Sequence, residues 1–239
     1  MRLDYSEINQ NMLLRILKRN GIIYLAKRVF YRVFWGPIIR LFAPSIFTVQ
    51  GMHFSYFRHS YNTTFINERT VEIPFFRNIM SRFHGKKVLE IGNVLSHYEK
   101  SWWTVVDKFE VFSGVDNTDI LEYSPKEKFD LVLAISTFEH IGFDENPRAP
   151  EKLMDVLAHL KDRCMNPSSE LWFSIPVGWN PELDMKIFKH SFPYDACIYL
   201  ERSSLLNTWR ECVQVDAQWF NRPYRMYPTA LILVQILKV

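Results

Sequence analysis

The stretch Lys86-Lys87-Val88-Leu89-Glu90-Ile91-Gly92-Asn93 decides how this chain is read. A charged pair leads into apolar residues, an acid interrupts them and a glycine ends them. That is the form of a short buried strand that delivers a carboxylate and a tight turn to the carboxyl edge of a parallel sheet. Only a residue without Cβ lets the backbone bend closely under a ligand there. A second such run, Phe129-Asp130-Leu131-Val132-Leu133-Ala134-Ile135-Ser136, opens into Thr137-Phe138-Glu139-His140.

Outward from these two runs, short apolar segments alternate with helical spacings. Strands are predicted at 87–92, 103–107, 112–116, 130–136, 170–176, 212–219 and 230–237, and helices at 96–101, 150–164, 181–189 and 203–210. Such alternation means an α/β domain with a mostly parallel sheet covered on both faces. The last two strands are separated only by the Pro-rich segment 221–228, which predicts that they run antiparallel. Upstream, Val71, Phe75, Ile79 and Phe83 form the stripe of a helix over 71–83, with Pro74 suited to its first turn. Residues 51–70 read as an irregular aromatic segment.

At 239 residues the chain can bury one substantial core. Its net charge of +3 gives no ground to expect a nucleic-acid partner, but the distribution is uneven. Residues 1–50 carry eight basic and two acidic residues, a net of +6, which leaves −3 for the remainder. Two parts are expected: a basic amphipathic helical segment at 1–50 and an α/β domain at 51–239. From Leu13 to Phe34 apolar residues recur at helical spacing against Lys18, Arg19, Lys27, Arg28 and Arg32, and 38–42 continues that character. Residues 13–42 therefore suit an anionic membrane surface, with each basic residue near it contributing ~1 kcal/mol. The alternative is a helix packed on the domain with a solvated basic face. No apolar run approaches the ~20 residues that span a bilayer, and no secretory signal is visible. The odd cysteine count (Cys164, Cys197, Cys212) fits reduced thiols, so a cytoplasmic location is expected, peripheral on the inner face of the membrane if the helix binds there.

Four strand ends in order carry a resemblance: Glu90-Ile91-Gly92-Asn93, Val105-Val106-Asp107, Asn117-Thr118-Asp119-Ile120 and Ser136-Thr137-Phe138-Glu139-His140. Together they resemble the class I, Rossmann-like methyltransferases that use S-adenosylmethionine. The resemblance implies a seven-stranded sheet with an antiparallel last strand. It implies that Gly92 and Asn93 cradle the amino-acid part of the cofactor, with Glu90 organising that loop and the ligand's ammonium. Asp107 would accept from the ribose hydroxyls, with Asp116 as the competing acid. Asp119 would accept from the adenine amino group, the Ile120 amide would donate to the ring, and Ser136 and Thr137 would line the cleft. The segments 61–64 and 67–74, with Gly92–Tyr98 and Val106–Phe109, look like a divergent branch often associated with surface-polysaccharide genes. In that scheme 61–70 would cover the cofactor, with Asn67, Glu68 or Arg69 reaching it. The chain departs from the pattern in offering one glycine where two or three are usual.

The acceptor implied by the resemblance is a sugar hydroxyl of a glycan or lipid-linked glycan. His140 could take its proton, since an imidazole changes charge near neutral pH, or it could be structural. His97, Glu139, Trp179 and Asn180 are candidate acceptor contacts, Trp179 either stacking on a sugar ring or packing in the core. Histidines and acids lack metal-ligand spacing, so no metal is expected. Two other functions compete: a catalytically inactive, methyltransferase-like binding protein in a membrane-associated assembly, and a nicotinamide oxidoreductase. The second lacks the glycines a pyrophosphate needs.

Overall fold

The computed structural model describes residues 29–224 and 227–237. Of the amphipathic stretch expected at 13–34, residues 13–28 lie outside the described residues. After a wide helical turn at Tyr31–Trp35, helix α1 (Gly36–Phe42) leads into a hairpin of β1 (Ile46–Val49) and β2 (Met52–Ser55). Helix α2 (Arg69–Ser81) precedes β3 (Val88–Ile91), β4 (Thr104–Val106), β5 (Val115–Asp116) and β6 (Phe129–Ile135). Helix α3 (Lys152–His159) feeds β7 (Met165–Pro176), and α4 (Pro181–Phe188) feeds the hairpin β8 (Ala196–Arg202) and β9 (Trp209–Cys212). The short α5 (Ala217–Phe220) and β10 (Ala230–Leu237) close the chain.

Eight strands form the main sheet in the order β5-β4-β3-β6-β7-β10-β8-β9. Pairings from β5 through to β7 are parallel, whereas β10 runs antiparallel to both β7 and β8, and β9 antiparallel to β8. The chain moves from β3 outward to β4 and β5, then returns to the other side of β3 with β6. The order therefore reverses between β3 and β6, where open α/β sheets place their ligands.

Strand alternation assigns the core to two faces. Leu89, Ile91, Val132, Ala134 and Phe173 face α3, α4 and α5, meeting Val156, Leu157, Ile187 and Phe220. Val88, Leu131, Leu133 and Ile135 face α2 and the β1–β2 hairpin, meeting Val71, Phe76, Ile79 and Phe54. Both sets are fully covered, and each large side chain so buried contributes roughly 1.5–3 kcal/mol relative to exposure.

Several expectations are corrected. Among the described residues the sheet has eight strands rather than seven, because Ala196–Arg202 and Trp209–Cys212 are both strands while the predicted 212–219 strand is absent. Val213 is 92% exposed, and Asp216 instead caps α5 by accepting from the Trp219 amide at 2.8 Å. The predicted helix at 203–210 is the β8–β9 turn and β9 itself, and that at 96–101 shrinks to one turn at Leu95–His97. Residues 52–55, read as irregular, pair with 46–49 across the boundary expected at 50/51, and Phe47 and Val49 are core residues. Pro74 sits inside α2 rather than in its first turn.

Candidate functional site

The carboxyl edge of β3, β4 and β6 encloses a cleft of about 380 Å³, within the range of small-molecule sites. Gly92, Asn93, Asp107, Asp119, Ile120, Ser136, Thr137 and His140 all line it. Gly92 adopts φ +81, a region that disfavours side chains, and a Cβ there would run into the Thr137 side chain. The bend and the close approach to the end of β6 together require glycine. Asn93, by contrast, is not left-handed. Its amide donates to Asp107 Oδ2 at 3.1 Å and its side chain binds Ser96 and His97.

Glu90 does not reach the cleft. Alternation puts it on the Val88 face, fully buried, where it accepts from the Val94 amide (3.0 Å), the Leu95 amide (2.8 Å) and the Trp103 indole (2.7 Å). It organises the loop, as expected, but has no access to a ligand's ammonium. Burial pushes its carboxyl up to about 7 despite those donors.

Asp107 ends β4 and turns the next loop, its Oδ1 accepting from the Phe109 and Glu110 amides at 2.8 Å. It lines the cleft, whereas Asp116 is exposed and binds the Thr118 hydroxyl. Asp119 Oδ2 receives Lys108 at 2.8 Å and Lys152 at 3.1 Å, and Oδ1 receives the Leu121 amide. Partial burial works to raise its carboxyl, yet these donors hold it down at about 2. Neither lysine carried a signal in the sequence, since α3 brings Lys152 to Asp119 from a distant segment.

Ser136 also carries a positive φ, +41, uncommon outside glycine. Its amide donates to the Ser174 hydroxyl (2.9 Å) and its own hydroxyl to Glu72 Oε1 (2.6 Å). Its backbone faces the cleft while its side chain is tied beneath it. Glu72, fully buried, also accepts from Ser174 Oγ and from Arg69, both at 2.6 Å. This buried knot locks α2 to the ends of β6 and β7. Sequence reading missed Glu72 and Ser174, although an acid between the core residues Val71 and Ile73 was a legible signal.

His140 stands at the rim, its Nδ1 2.7 Å from Asp144 Oδ2 and its Nε2 3.6 Å from Glu139 Oε1. The Asp144 contact orients the ring and assigns the Nδ1 proton, leaving Nε2 as the acceptor. Trp179 packs edge-on against His140 and Tyr224, both at 4.8 Å. Glu139 is 1% exposed and lies behind His140 rather than in the cleft.

The remaining candidates are elsewhere. His97 is drawn away by Glu110, 2.7 Å from its Nε2, and by Tyr61 and Phe112 against its ring. Asn180 is spent on structure: its Oδ1 caps α4 through the Leu183 amide, and its Nδ2 holds the Glu139 carbonyl. None of residues 61–70 lines the cleft. Asn67 binds the Asn62 carbonyl and the Arg69 amide, and Arg69 turns to Glu72.

No family model matches the chain, and no curated protein matches it. Among solved structures it is similar to the N-methyltransferase NodS from Bradyrhizobium japonicum in complex with S-adenosyl-L-homocysteine. There the TM-score is 0.41 and the identity 14%, over 72% of this chain and 91% of that one. It is also similar to a SAM-dependent methyltransferase from Archaeoglobus fulgidus, with TM-score 0.44, 17% identity, and 73% and 97% covered. What the cleft can do chemically follows from this chain's own residues.

Proposed function

We propose that this chain is an S-adenosylmethionine-dependent methyltransferase. The observation that carries the reading is the Gly92 bend against Thr137, flanked by Asp107 and the Asp119–Ile120 pair, at the point where strand order reverses. The residues fit the cofactor. Gly92 leaves room that a Cβ would fill, Asp107 lines the cleft with a carboxylate that can accept from ribose hydroxyls, and the buried Ile120 offers an apolar surface to a base. Bound there, S-adenosylmethionine supplies a methyl group made electrophilic by its sulfonium.

The chain's own task is alignment and exclusion of water. The backbone at Ser136 and Thr137 forms the floor, held from below by Glu72 and Ser174. His140, oriented by Asp144, takes a proton from the acceptor at Nε2. In our reading the acceptor is a sugar hydroxyl of a glycan or lipid-linked glycan, with Trp179 as the aromatic wall beside it. Calorimetry with S-adenosylhomocysteine tests the core of this proposal. Micromolar binding is expected, weakened about tenfold or more by Asp107→Ala. Absence of binding by the folded protein would reject it.

A second reading, a methyltransferase-like binding protein without turnover, is favoured by one observation. The Asp119 carboxylate is already held by Lys108 and Lys152, so an adenine amino group competes for a committed acceptor. Ligand binding with no methyl transfer to any glycan acceptor would select it.

We further propose peripheral attachment to an anionic membrane, on the cytoplasmic side. Among the described residues no helix is long and apolar enough to cross a membrane. Support comes from the exposed apolar side chains Val33, Phe34, Leu41 and Phe42, 55–77% accessible, next to Arg40. Replacing Phe34, Leu41 and Phe42 with Asp is expected to abolish co-sedimentation with phosphatidylglycerol vesicles while leaving the fold intact. Equal pelleting of the variant would remove the membrane claim.

A further inference from the structure

Behind the Ser136 floor, three glutamates and one arginine share a buried space. Glu72 is fully employed by Arg69, Ser136 and Ser174, and Arg69 is taken up by Glu72 and the Ile135 carbonyl. Glu68 and Glu139, 8% and 1% exposed, are not so served: Oε2 of each is buried without a hydrogen-bond partner. Burial and the Glu72 carboxylate work against the charged form of both, and Glu68 adds to this at Glu139; the Arg69 field opposes them at both acids, and Arg202 does so at Glu68. An unpaired carboxylate in such a place is costly, and the cost is removed by a proton or by a cation. Trp179, whose indole N–H also lacks a partner, and Tyr224 supply aromatic surface next to the acids, a surface that attracts ammonium groups. His140, 42% exposed and part of the cleft lining, stands directly in front of Glu139.

We propose that the acceptor carries a protonated amine, and that this amine is anchored by Glu139 and Glu68 beside Trp179 and Tyr224. The acceptor class is thus an amino sugar or a related amine-bearing molecule rather than a neutral one. The amine is a recognition group. It enters past His140, donates to the two orphaned oxygens and sets the neighbouring nucleophile opposite His140 Nε2. An ammonium has three N–H donors and a full charge, so it satisfies both oxygens at once. A hydroxyl or an acetamide satisfies one and neutralises neither. The word acceptor rests on the methyltransferase reading, whereas the amine subsite itself does not.

The test compares a chitosan tetramer, with free amines, against its fully N-acetylated counterpart, titrated with and without saturating S-adenosylhomocysteine. The free amine is expected to bind about tenfold tighter or better, the scale of a charge-assisted hydrogen bond. Glu139→Gln and, separately, Glu68→Gln should lose that preference, and Glu139→Gln should bind S-adenosylhomocysteine as the parent does. Circular dichroism and the melting temperature show whether each variant folds, and removing a buried like charge is expected to leave both folded. Equal affinity for the two tetramers overturns the inference, as does failure of the amine to bind at millimolar concentration. Retention of the preference in both folded glutamine variants overturns it too. Amine preference in a protein that never binds S-adenosylhomocysteine would keep the subsite and reject the methyltransferase reading.

Discussion

Gly92 shows how much one position carries. Alanine there must hold φ near +81 and push its methyl into Thr137, so Gly92→Ala is expected to cost about 1–3 kcal/mol in backbone strain alone. Urea denaturation checks the stability, and calorimetry is expected to show at least a tenfold loss of S-adenosylhomocysteine affinity. Pairing the change with Thr137→Gly relieves the clash but leaves the φ penalty, so the double variant should recover only part of the loss. The glycine, Asp107 and His140 were legible in the sequence because each follows directly from a strand end. Glu90 was legible as an acid but not in its direction: the two-residue period turns it to the Val88 face, toward Trp103. His97 and Asn180 misled for a related reason. Being near the carboxyl edge in sequence says nothing about a partner such as Glu110, or a cap to be filled at Leu183.

At the scale of elements, helix α2 and the two hairpins explain both successes and misses. Proline inside α2 removes the N–H that would bond the Thr70 carbonyl, and the Phe57 amide takes that carbonyl instead at 2.9 Å. The helix thus tolerates Pro74 because the segment after β2 runs alongside it. The β1–β2 hairpin is docked through Tyr56, whose hydroxyl accepts from the Trp209 amide at 2.7 Å. Tyr56→Phe leaves that amide without its partner and is expected to cost about 1–3 kcal/mol, read as a lower urea midpoint with an unchanged slope. Asn207, 3% exposed, ties the same hairpin region to the Phe65 and Asn67 carbonyls. The strand at Ala196–Arg202 had a visible alternation, with Ile198 and Leu200 buried between more accessible neighbours. The run 212–219 alternates as well, but Asp216 three residues before Trp219 marks a helix start, and that local signal won.

Across the whole molecule, buried acids set a pH dependence. Burial lifts Glu90 and Asp184 to about 7, so between their unfolded values and 7 the folded chain holds protons that the unfolded chain releases. Stability is therefore expected to fall as pH rises through that window and to level off above it, by on the order of 3 kcal/mol per group. Asp119, held down at about 2, works in the opposite sense: its contribution is present above its unfolded value and is lost as pH falls toward 2. Urea midpoints should accordingly be higher at pH 5.5 than at pH 8. A midpoint that rises between those values would contradict the burial of these carboxyls. By itself the sequence determined the α/β class, the first and fourth parallel strands, the glycine bend and the acid after β4. It could do so because strand burial and turn chemistry are local properties of consecutive residues. Only the tertiary structure decided the eighth strand, the lysine clamp on Asp119, the knot of Arg69, Glu72, Ser136 and Ser174, and the two orphaned carboxylate oxygens. Each of those depends on which distant segments the fold packs together, and no local pattern of residues encodes that meeting.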